Sequence, residues 1–497
     1  MPDLKFQVVQ MLPYTTLLQI DKDSQQPVYQ QIAGQIVQHI RSGVLKPGTL
    51  LPGTRELASQ LSLHRKTIVA AYNELLSQGW LEVTPKKGFN ITRNLPELKA
   101  RSLRPDQSAA YGNRMAVPFY GQKAAMTTKA KEPPIRLVID DGHPDPRLTP
   151  LSILMREYAS RIKLAQRSVI IPGSLTAGTQ RLRTTLAGYL QSSRGIQAGP
   201  EHLIVTHGAQ MSIYLAAKTL LRPGDYAIIG DPIYPVAAQV LENTGARIIR
   251  IPVDDHGMDI DAMEKACKRY PVKLLYLIPH HHHPTTVTLS PQRRLRLLDL
   301  CTHYNFAILE DDYDYDYHYN ILPHLPLASY RHEGHVIYIG SFSKSLASSV
   351  RLGFMVGPAD FITQATQYRR LIDLRNDNLL EDALATLITN GDIQRYLKKA
   401  NKTYSERLDN LDQLLRTHLA GKIVYRRPTG GMAAWVRFKP GYDLTQIAQR
   451  AGRKGLYISN GKDYNNAGIP YNGLRIGFAS LLPEEMNDAI GILSQSI

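Results

Sequence analysis

Apolar residues recur along the chain at two different spacings, and the change from one to the other divides it. In "PVYQQIAGQIVQHIRSGVL", Val28, Ile32, Ile36 and Ile40 return every fourth position, which predicts a helix with one apolar face, closed by Gly43 and the following "KPG". "LPGTRELASQLSL" predicts a second, shorter helix with Gly53 as N-cap and Glu56 three residues on, a capping box that lacks its usual hydroxyl. A third helix over "HRKTIVAAYNELLSQ" buries Ile68, Tyr72 and Leu75/Leu76 and leaves His64, Arg65, Lys66 and Thr67 at its exposed start. "WLEVTPKKGFNIT" reads as a β-hairpin whose turn, Pro85 to Gly88, holds Lys86 and Lys87. From Ile135 onward the pattern becomes short apolar runs between helical segments: "HLIVTHGAQ", "DYAIIGDP", "ARIIRIPVD", "KLLYLIPH", "NFAILEDD" and "HVIYIGSFSK". Strands alternating with helices predict a parallel α/β sheet covered on both faces, with its site at the carboxyl ends of the strands.

Between these two regions, residues 95–134 hold five prolines and scattered basic residues with no sustained apolar period, and read as a linker. The expected organisation is therefore a module over 25–94, a linker over 95–134 and a larger domain over 135–497, the last with a large part at about 135–375 and a small C-terminal part at about 395–497. A chain of 497 residues is long enough for two or three separate cores. No run approaches the roughly 18 apolar residues of a membrane span, and "FQVVQMLPYTTLLQI" lacks the basic start and cleavage site of a signal peptide. Cys267 and Cys301 are the only cysteines, too few for a disulfide framework, so a reduced, cytoplasmic compartment is expected. The formal net charge is +16; residues 25–94 carry eight Lys and Arg against three acids, and residues 95–134 carry seven against three. That concentration suits a small module that meets phosphates, although a solvated basic surface accounts for the charge equally well.

Three helices and a hairpin with a basic tip form the layout of a winged helix-turn-helix, whose third helix enters the DNA major groove. "KPGTLLPGTRELASQL" followed by "HRKTIVAAYNELLSQGWLEVTPKKG" resembles the GntR family of bacterial transcription regulators in the order and spacing of its motifs. The resemblance implies DNA contacts at Arg55, His64, Arg65, Lys66, Thr67, Lys86 and Lys87. His64 stands where that family usually has serine, and Gly53 where it has serine or threonine, so capping and base readout are expected to differ.

In the larger domain, Lys344 follows the apolar run "VIYIG" by four residues and stands among small residues, with Arg351 seven positions on. A partly desolvated lysine can form a Schiff base with an aldehyde. Asp311 ends another strand, where a carboxylate suits a pyridinium nitrogen; Gly208 opens a helix whose free N–H groups suit a phosphate; Tyr234 puts a flat ring at a further strand end. Together these residues read as a pyridoxal phosphate site. The motifs "GHPDP", "THGAQ", "GDPIYP", "IPHHHHPTT", "EDDYDYDY", "GSFSK" with "RLG", and "GLRIGFA", in that order, resemble the fold-type I aminotransferases, and most closely the MocR-like branch that joins a GntR-type module to such a domain. The resemblance implies that Lys344 carries the cofactor as a Schiff base, Asp311 pairs with the ring nitrogen and Tyr313 approaches the ring's phenolic oxygen. It further implies that Tyr234 stacks, that Gly208, Ala209, Gln210, Ser341, Ser343 and Arg351 cradle the phosphate, and that Arg475 grips an amino-acid carboxylate.

The run His280 to His283 invites a metal reading, but successive residues of a strand point to opposite faces and cannot share one tetrahedral ion. The resemblance instead makes His281 the family histidine and sends His282 and His283 toward the cofactor pocket. Three features depart from the family: "GSLTAG" lacks the tyrosine sent across the dimer, Thr286 replaces the glycine of "PTG", and "GGMAA" replaces "GGLH". These departures favour a bacterial regulator that senses pyridoxal phosphate or an amino acid or amine, while the resemblance to fold-type I proteins implies a homodimer and the long linker suits crossed-over DNA-binding modules. Vestigial or half-reaction chemistry is compatible with that reading. The alternatives are an active aminotransferase with an accessory DNA-binding module, and a sensor of the cofactor itself.

Overall fold

The computed structural model describes residues 13–85, 88–95, 115, 117–118, 135–165, 175–319, 324–347, 349–465 and 470–497, and the chain divides into two compact units, Met1–Gly121 and Gln122–Ile497. In the first, helices span Val28–Arg41, Thr54–Gln60 and Arg65–Ser77, and an antiparallel hairpin pairs Leu81–Thr84 with Gly88–Ile91. Its core gathers Ile32, Ile36 and Ile40 from the first helix with Leu57, Ile68, Tyr72 and Leu75, while Val28 and Leu76 are half-buried. The Tyr72 hydroxyl donates to the Pro52 carbonyl (2.9 Å) and its ring meets the edge of Phe89, which ties the third helix to the hairpin. This core reaches further toward the N-terminus than the expected boundary at residue 25. Tyr14 and Leu18 are buried in it, and Gln31 holds the intervening chain through Asp21 and Gln26.

The second unit is built on a sheet of eight strands, in the spatial order Leu203–Thr206, Gly353–Val356, Val336–Ser341, Ala307–Asp311, Val272–Leu277, Tyr226–Asp231, Arg247–Asp254 and Gly257–Met258. Six of these are the strands expected from the apolar runs. Alternate residues of one strand feed different cores: Leu203 and Val205 lie in one cluster and Ile204 in the other, as do Ile228 and Ile229. Both faces are therefore covered, as a buried α/β sheet requires. The sheet is mixed, however, and not purely parallel. Gly353–Val356 runs antiparallel to both of its neighbours, and Gly257–Met258 is antiparallel to the strand beside it. Too few residues separate Ser341 from Gly353 for the helical crossover that a parallel return needs, so the chain comes straight back alongside.

A smaller antiparallel sheet in the C-terminal part pairs Ala433–Phe438 with Ile423–Tyr425 on one side and Gly473–Gly477 on the other. The expected large part, about 135–375, is not wholly on the eight-stranded sheet, because Leu137–Val138 pairs with Leu456–Tyr457 instead. That pairing brings the segment following Val138 beside the strand Gly473–Gly477, where the Gly477 N–H donates to the Asp140 carbonyl (2.8 Å). Among the described residues no helix is long and apolar enough to cross a membrane.

The antiparallel return depends on the absence of side chains where it passes the start of the helix Ala209–Leu220. A Cβ on Gly353 would lie 2.7 Å from Gly208 Cα and 3.0 Å from the Gly340 carbonyl oxygen. Gly353→Ala is expected to lower the stability of this unit by about 1–3 kcal/mol, the usual cost of overpacking. Thermal or urea denaturation checks this, and unaltered stability contradicts it.

Candidate functional site

Strand ends of the eight-stranded sheet converge on a cavity of about 240 Å³ lined by Asp141, His143, Ala209, Gln210, Ile213, Tyr234, Ile278, His283, Asp311, Tyr313, Ser341, Ser343, Lys344 and Arg351. Ten of the twelve residues expected at the cofactor pocket are therefore brought together; the other two are His282 and Gly208, the latter the N-cap of the helix that begins at Ala209. Lys344 sits in the turn just past the strand Val336–Ser341, and its Nζ donates to the Gly142 carbonyl (2.5 Å) at 5.8 Å from the centre of the Tyr313 ring. Burial lowers the pKa of its amine, with the Asp141 carboxylate opposing in part. A lowered pKa leaves more of the amine as the free base that attacks a carbonyl.

The acidic run after the strand Ala307–Asp311 and the histidine run after Val272–Leu277 are each other's partners. His280 Nδ1 meets Asp312 Oδ1 (2.9 Å) and His281 Nδ1 meets Asp314 Oδ1 (3.0 Å). Contrary to the strand alternation expected of them, the histidines do not continue the strand. The strand ends at Leu277, and His281 turns the backbone to φ +44°, so the four rings diverge toward different partners. His282 also departs from expectation: its Nδ1 pairs with Thr285 Oγ1 (2.9 Å), and the residue does not line the cavity. Burial holds its ring neutral, with the pKa pushed down to about 3. Thr286, at the position of the family glycine, has φ +60°, a conformation unusual for a β-branched residue.

Glu310 accepts from the backbone N–H groups of Leu327 and Ala328 (2.7 and 2.9 Å), and Asp316 pairs with Arg194 (3.0 Å). Of the acids in this run only Asp311 lines the cavity, held through Oδ2 by the Tyr276 hydroxyl (2.8 Å). Burial pushes the Asp311 carboxyl up to about 7; the Tyr276 hydrogen bond opposes this, and the neighbouring Asp312 and Asp314 add to it.

Three buried polar atoms on residues lining the cavity have no protein partner: Asp311 Oδ1, Gln210 Oε1 and His283 Nδ1. Unpartnered buried acceptors are costly and mark a place built for a ligand. At one end, Gly208 has φ +84° and the helix Ala209–Leu220 has no side-chain cap, so its first N–H groups are open to an anion. Arg351 lies across Gly208, where a Cβ would come within 3.0 Å of Nη2, and it donates to the His207 carbonyl (3.1 Å) and Ser343 Oγ (3.4 Å). At the wall, the Tyr234 ring stands edge-on to the His283 ring at 5.2 Å. An anion cup, a lysine and a carboxylate able to face a ring nitrogen fit pyridoxal phosphate. A larger cavity of about 690 Å³, lined by His280, His281, Arg426, Arg427 and Arg437 among others, contains none of the expected cofactor residues.

In the N-terminal unit Arg55, His64, Arg65 and Lys66 are exposed and Thr67 is half-buried at the start of the third helix. His64 takes over the capping role of serine, its Nδ1 accepting from the Lys66 N–H (3.2 Å), whereas Gly53 offers no side-chain cap to the second helix. Lys86 and Lys87 lie outside the described residues.

The family model for aminotransferase class I and II matches residues 170–493. The chain belongs to that family. The model for bacterial regulatory proteins of the gntR family matches residues 28–91, which makes the chain a MocR-like regulator, a DNA-binding module joined to an aminotransferase domain. It is similar to the "Probable rhizopine catabolism regulatory protein MocR" of Rhizobium meliloti, 27% identical over 480 residues that cover 96% of this chain and 95% of the relative. The HTH-type transcriptional regulator TauR of Rhodobacter capsulatus is 27% identical over 93% of this chain and 95% of its own. Among solved structures, alpha-aminoadipate aminotransferase LysN of Thermus thermophilus, complexed with N-(5'-phosphopyridoxyl)-L-leucine, matches 72% of this chain and 91% of its own with a TM-score of 0.67 and 26% identity.

In this MocR-like regulator one site residue escaped the sequence reading. Asp141 stands beside "GHPDP" and projects into the cavity, with Oδ2 on His283 Nε2 (2.7 Å) and Oδ1 on Arg475 Nε (3.1 Å) and the Tyr464 hydroxyl (3.2 Å). Burial opposes its charge, yet His283, Arg475 and Lys344 hold its carboxyl well below the usual carboxylate range. The available signal was a carboxylate immediately before that motif, in a chain whose other cofactor residues all follow it.

The raised Asp311 pKa has a stability consequence in the cofactor-free protein. Between about pH 4 and 7 the unfolded chain has lost this proton and the folded chain keeps it, so the contribution is full below that window and is lost as pH rises through it. Asp311→Asn, which does not titrate, is expected to flatten the fall of melting temperature between pH 5 and 7. Parallel pH profiles for wild type and variant contradict this.

Proposed function

We propose that this regulator binds pyridoxal phosphate in the 240 Å³ cavity, with Lys344 as the residue that tethers it, and that occupancy biases how its DNA-binding modules engage their operator. The observation that carries the reading is the set of unpartnered acceptors Asp311 Oδ1, Gln210 Oε1 and His283 Nδ1 on the cavity that also holds Lys344 and Arg351. Pyridoxal phosphate supplies an electrophilic aldehyde and an electron-withdrawing ring. Around it, Asp311 would hold the ring nitrogen's proton, Tyr234 would pack against the ring, and Tyr313 would approach the phenolic oxygen. The N–H groups at Ala209 and Gln210, with Ser341, Ser343 and Arg351, would bind the phosphate. His283 Nε2 donates to Asp141, which leaves Nδ1 as an acceptor toward the ligand.

Arg55, His64, Arg65, Lys66 and Thr67 read the DNA, with Lys86 and Lys87 at the wing. The protein acts in the bacterial cytoplasm as a homodimer whose modules cross over through residues 95–134. A ligand shifts the arrangement of the modules only by binding one arrangement better than another. A second reading, an active aminotransferase, is favoured by the cofactor residues gathered at the cavity, and sustained turnover of an amino donor with a keto acceptor distinguishes it.

The test is DNA binding by the full chain at several salt concentrations, with and without pyridoxal phosphate. Affinity is expected to fall steeply with salt, to change when cofactor is added, and to lose its cofactor dependence in Lys344→Ala. Replacing Arg65 by Ala is expected to weaken specific binding by about 1–3 kcal/mol if it contacts a base edge. DNA binding indifferent to the cofactor contradicts the sensing role.

A further inference from the structure

The sequence resemblance assigns Arg475 to the carboxylate of an amino acid, but its guanidinium is already engaged. Nε donates to the Asp141 carbonyl (3.2 Å) and faces its Oδ1 (3.1 Å), Nη1 donates to the Pro284 carbonyl (3.2 Å), and Nη2 donates to the Tyr313 hydroxyl (2.9 Å). The arginine side chain is 2% exposed, whereas that of Asp141 is 45% exposed. Asp141 lines the cavity and Arg475 does not. A carboxylate belonging to the protein therefore stands between the arginine and the ligand space.

Asp141 is fixed there from both sides. Before it, Asp140 is tied by Ser480 Oγ to its Oδ2 (2.6 Å) and by the Gly477 N–H to its carbonyl. After it, Gly142 has φ +88° and has room for no side chain, since a Cβ would lie 3.1 Å from Ala433 Cβ and 3.3 Å from the Met432 backbone. The Gly142 N–H donates to Asp140 Oδ1 (2.7 Å), and its carbonyl accepts from Lys344. The second Asp141 oxygen is held by His283. With one oxygen beside the arginine and the other on His283, this side chain puts a carboxylate of the protein itself at Arg475.

We infer that Asp141 is a built-in substitute for a ligand carboxylate, and that the effector of this pocket is a primary amine with no carboxylate on its amine-bearing carbon. An incoming carboxylate would meet a like charge at close range, where such juxtaposition costs several kcal/mol. It would also have to displace Asp141 from three partners. An amine of the same skeleton meets neither obstacle. The inference rests on the reading that the cavity holds pyridoxal phosphate through Lys344.

The test uses the full chain loaded with pyridoxal phosphate and titrated calorimetrically with matched pairs, ethylamine against L-alanine and phenethylamine against L-phenylalanine, while the cofactor's absorption is followed. Wild type is expected to bind each amine at least roughly tenfold more tightly than its amino acid. Asp141→Asn keeps the shape without the charge, and Asp141→Gly removes the side chain; each is expected to shift the preference toward the amino acid by roughly tenfold or more. Equal or tighter binding of the amino acids by wild type overturns the inference, as does a preference unchanged in both variants or an absence of binding by any of the four compounds. Failure of wild type to take up the cofactor overturns instead the reading of the cavity, and the inference with it. Cofactor uptake by the variants shows that they are folded.

Discussion

Burying a run of carboxylates without leaving them as isolated charges is the constraint on which this unit depends. Glu310, Asp311, Asp312 and Asp314 are all buried at the end of one central strand. A lone carboxylate in such a place is heavily penalised, so each has to find a partner or keep its proton. The partners come from separate elements: backbone N–H groups at Leu327 and Ala328 for Glu310, His280 for Asp312, His281 for Asp314 and Tyr276 for Asp311. This network pins the segment that follows Leu277 against the one that follows Asp311, and so fixes His283 and Tyr313 on the cavity wall. Asp311 and Asp314 are each satisfied through one oxygen, and of the two it is Asp311 that lines the cavity.

A second ionic arrangement, Asp141 with Arg475 and His283, closes the other side of the same cavity. It joins the segment after Leu137–Val138 to a strand of the small C-terminal sheet, so the two parts of the second unit meet across the ligand space. Lys344 lies between the two arrangements. Its amine contacts the Gly142 carbonyl directly after Asp141, and its field is set by both groups of acids. A ligand joined to Lys344 would touch groups that belong to both parts of the unit, a physical route by which occupancy would alter their arrangement.

Much of this was legible in the sequence, for identifiable reasons. Period-four spacing of Val28, Ile32, Ile36 and Ile40 and the six apolar runs after residue 135 report local structure directly, and a chemistry-bearing residue at the end of each run falls at the carboxyl edge of the sheet. What stayed hidden depends on pairing across long sequence separation. The histidine run and the acidic run each suggested a metal or a pocket on their own, and only the fold shows that they hydrogen-bond one another. The short strand Gly353–Val356 carried no alternation long enough to predict its direction, which is set by the brevity of the preceding loop. Asp141 was missed because its partners, His283 and Arg475, lie far along the chain, and Tyr14 and Leu18 because the one-turn helix Tyr14–Leu17 that carries the first and is capped by the second has no period of its own.

The account stands on Lys344 as the point where pyridoxal phosphate is held. Loading the full chain with the cofactor, reducing it with borohydride and locating the added mass on digested peptides tests this directly. The predicted result is a single pyridoxyl modification on the peptide containing Lys344, absent from Lys344→Ala. Modification spread over other lysines, or none at all, would contradict it.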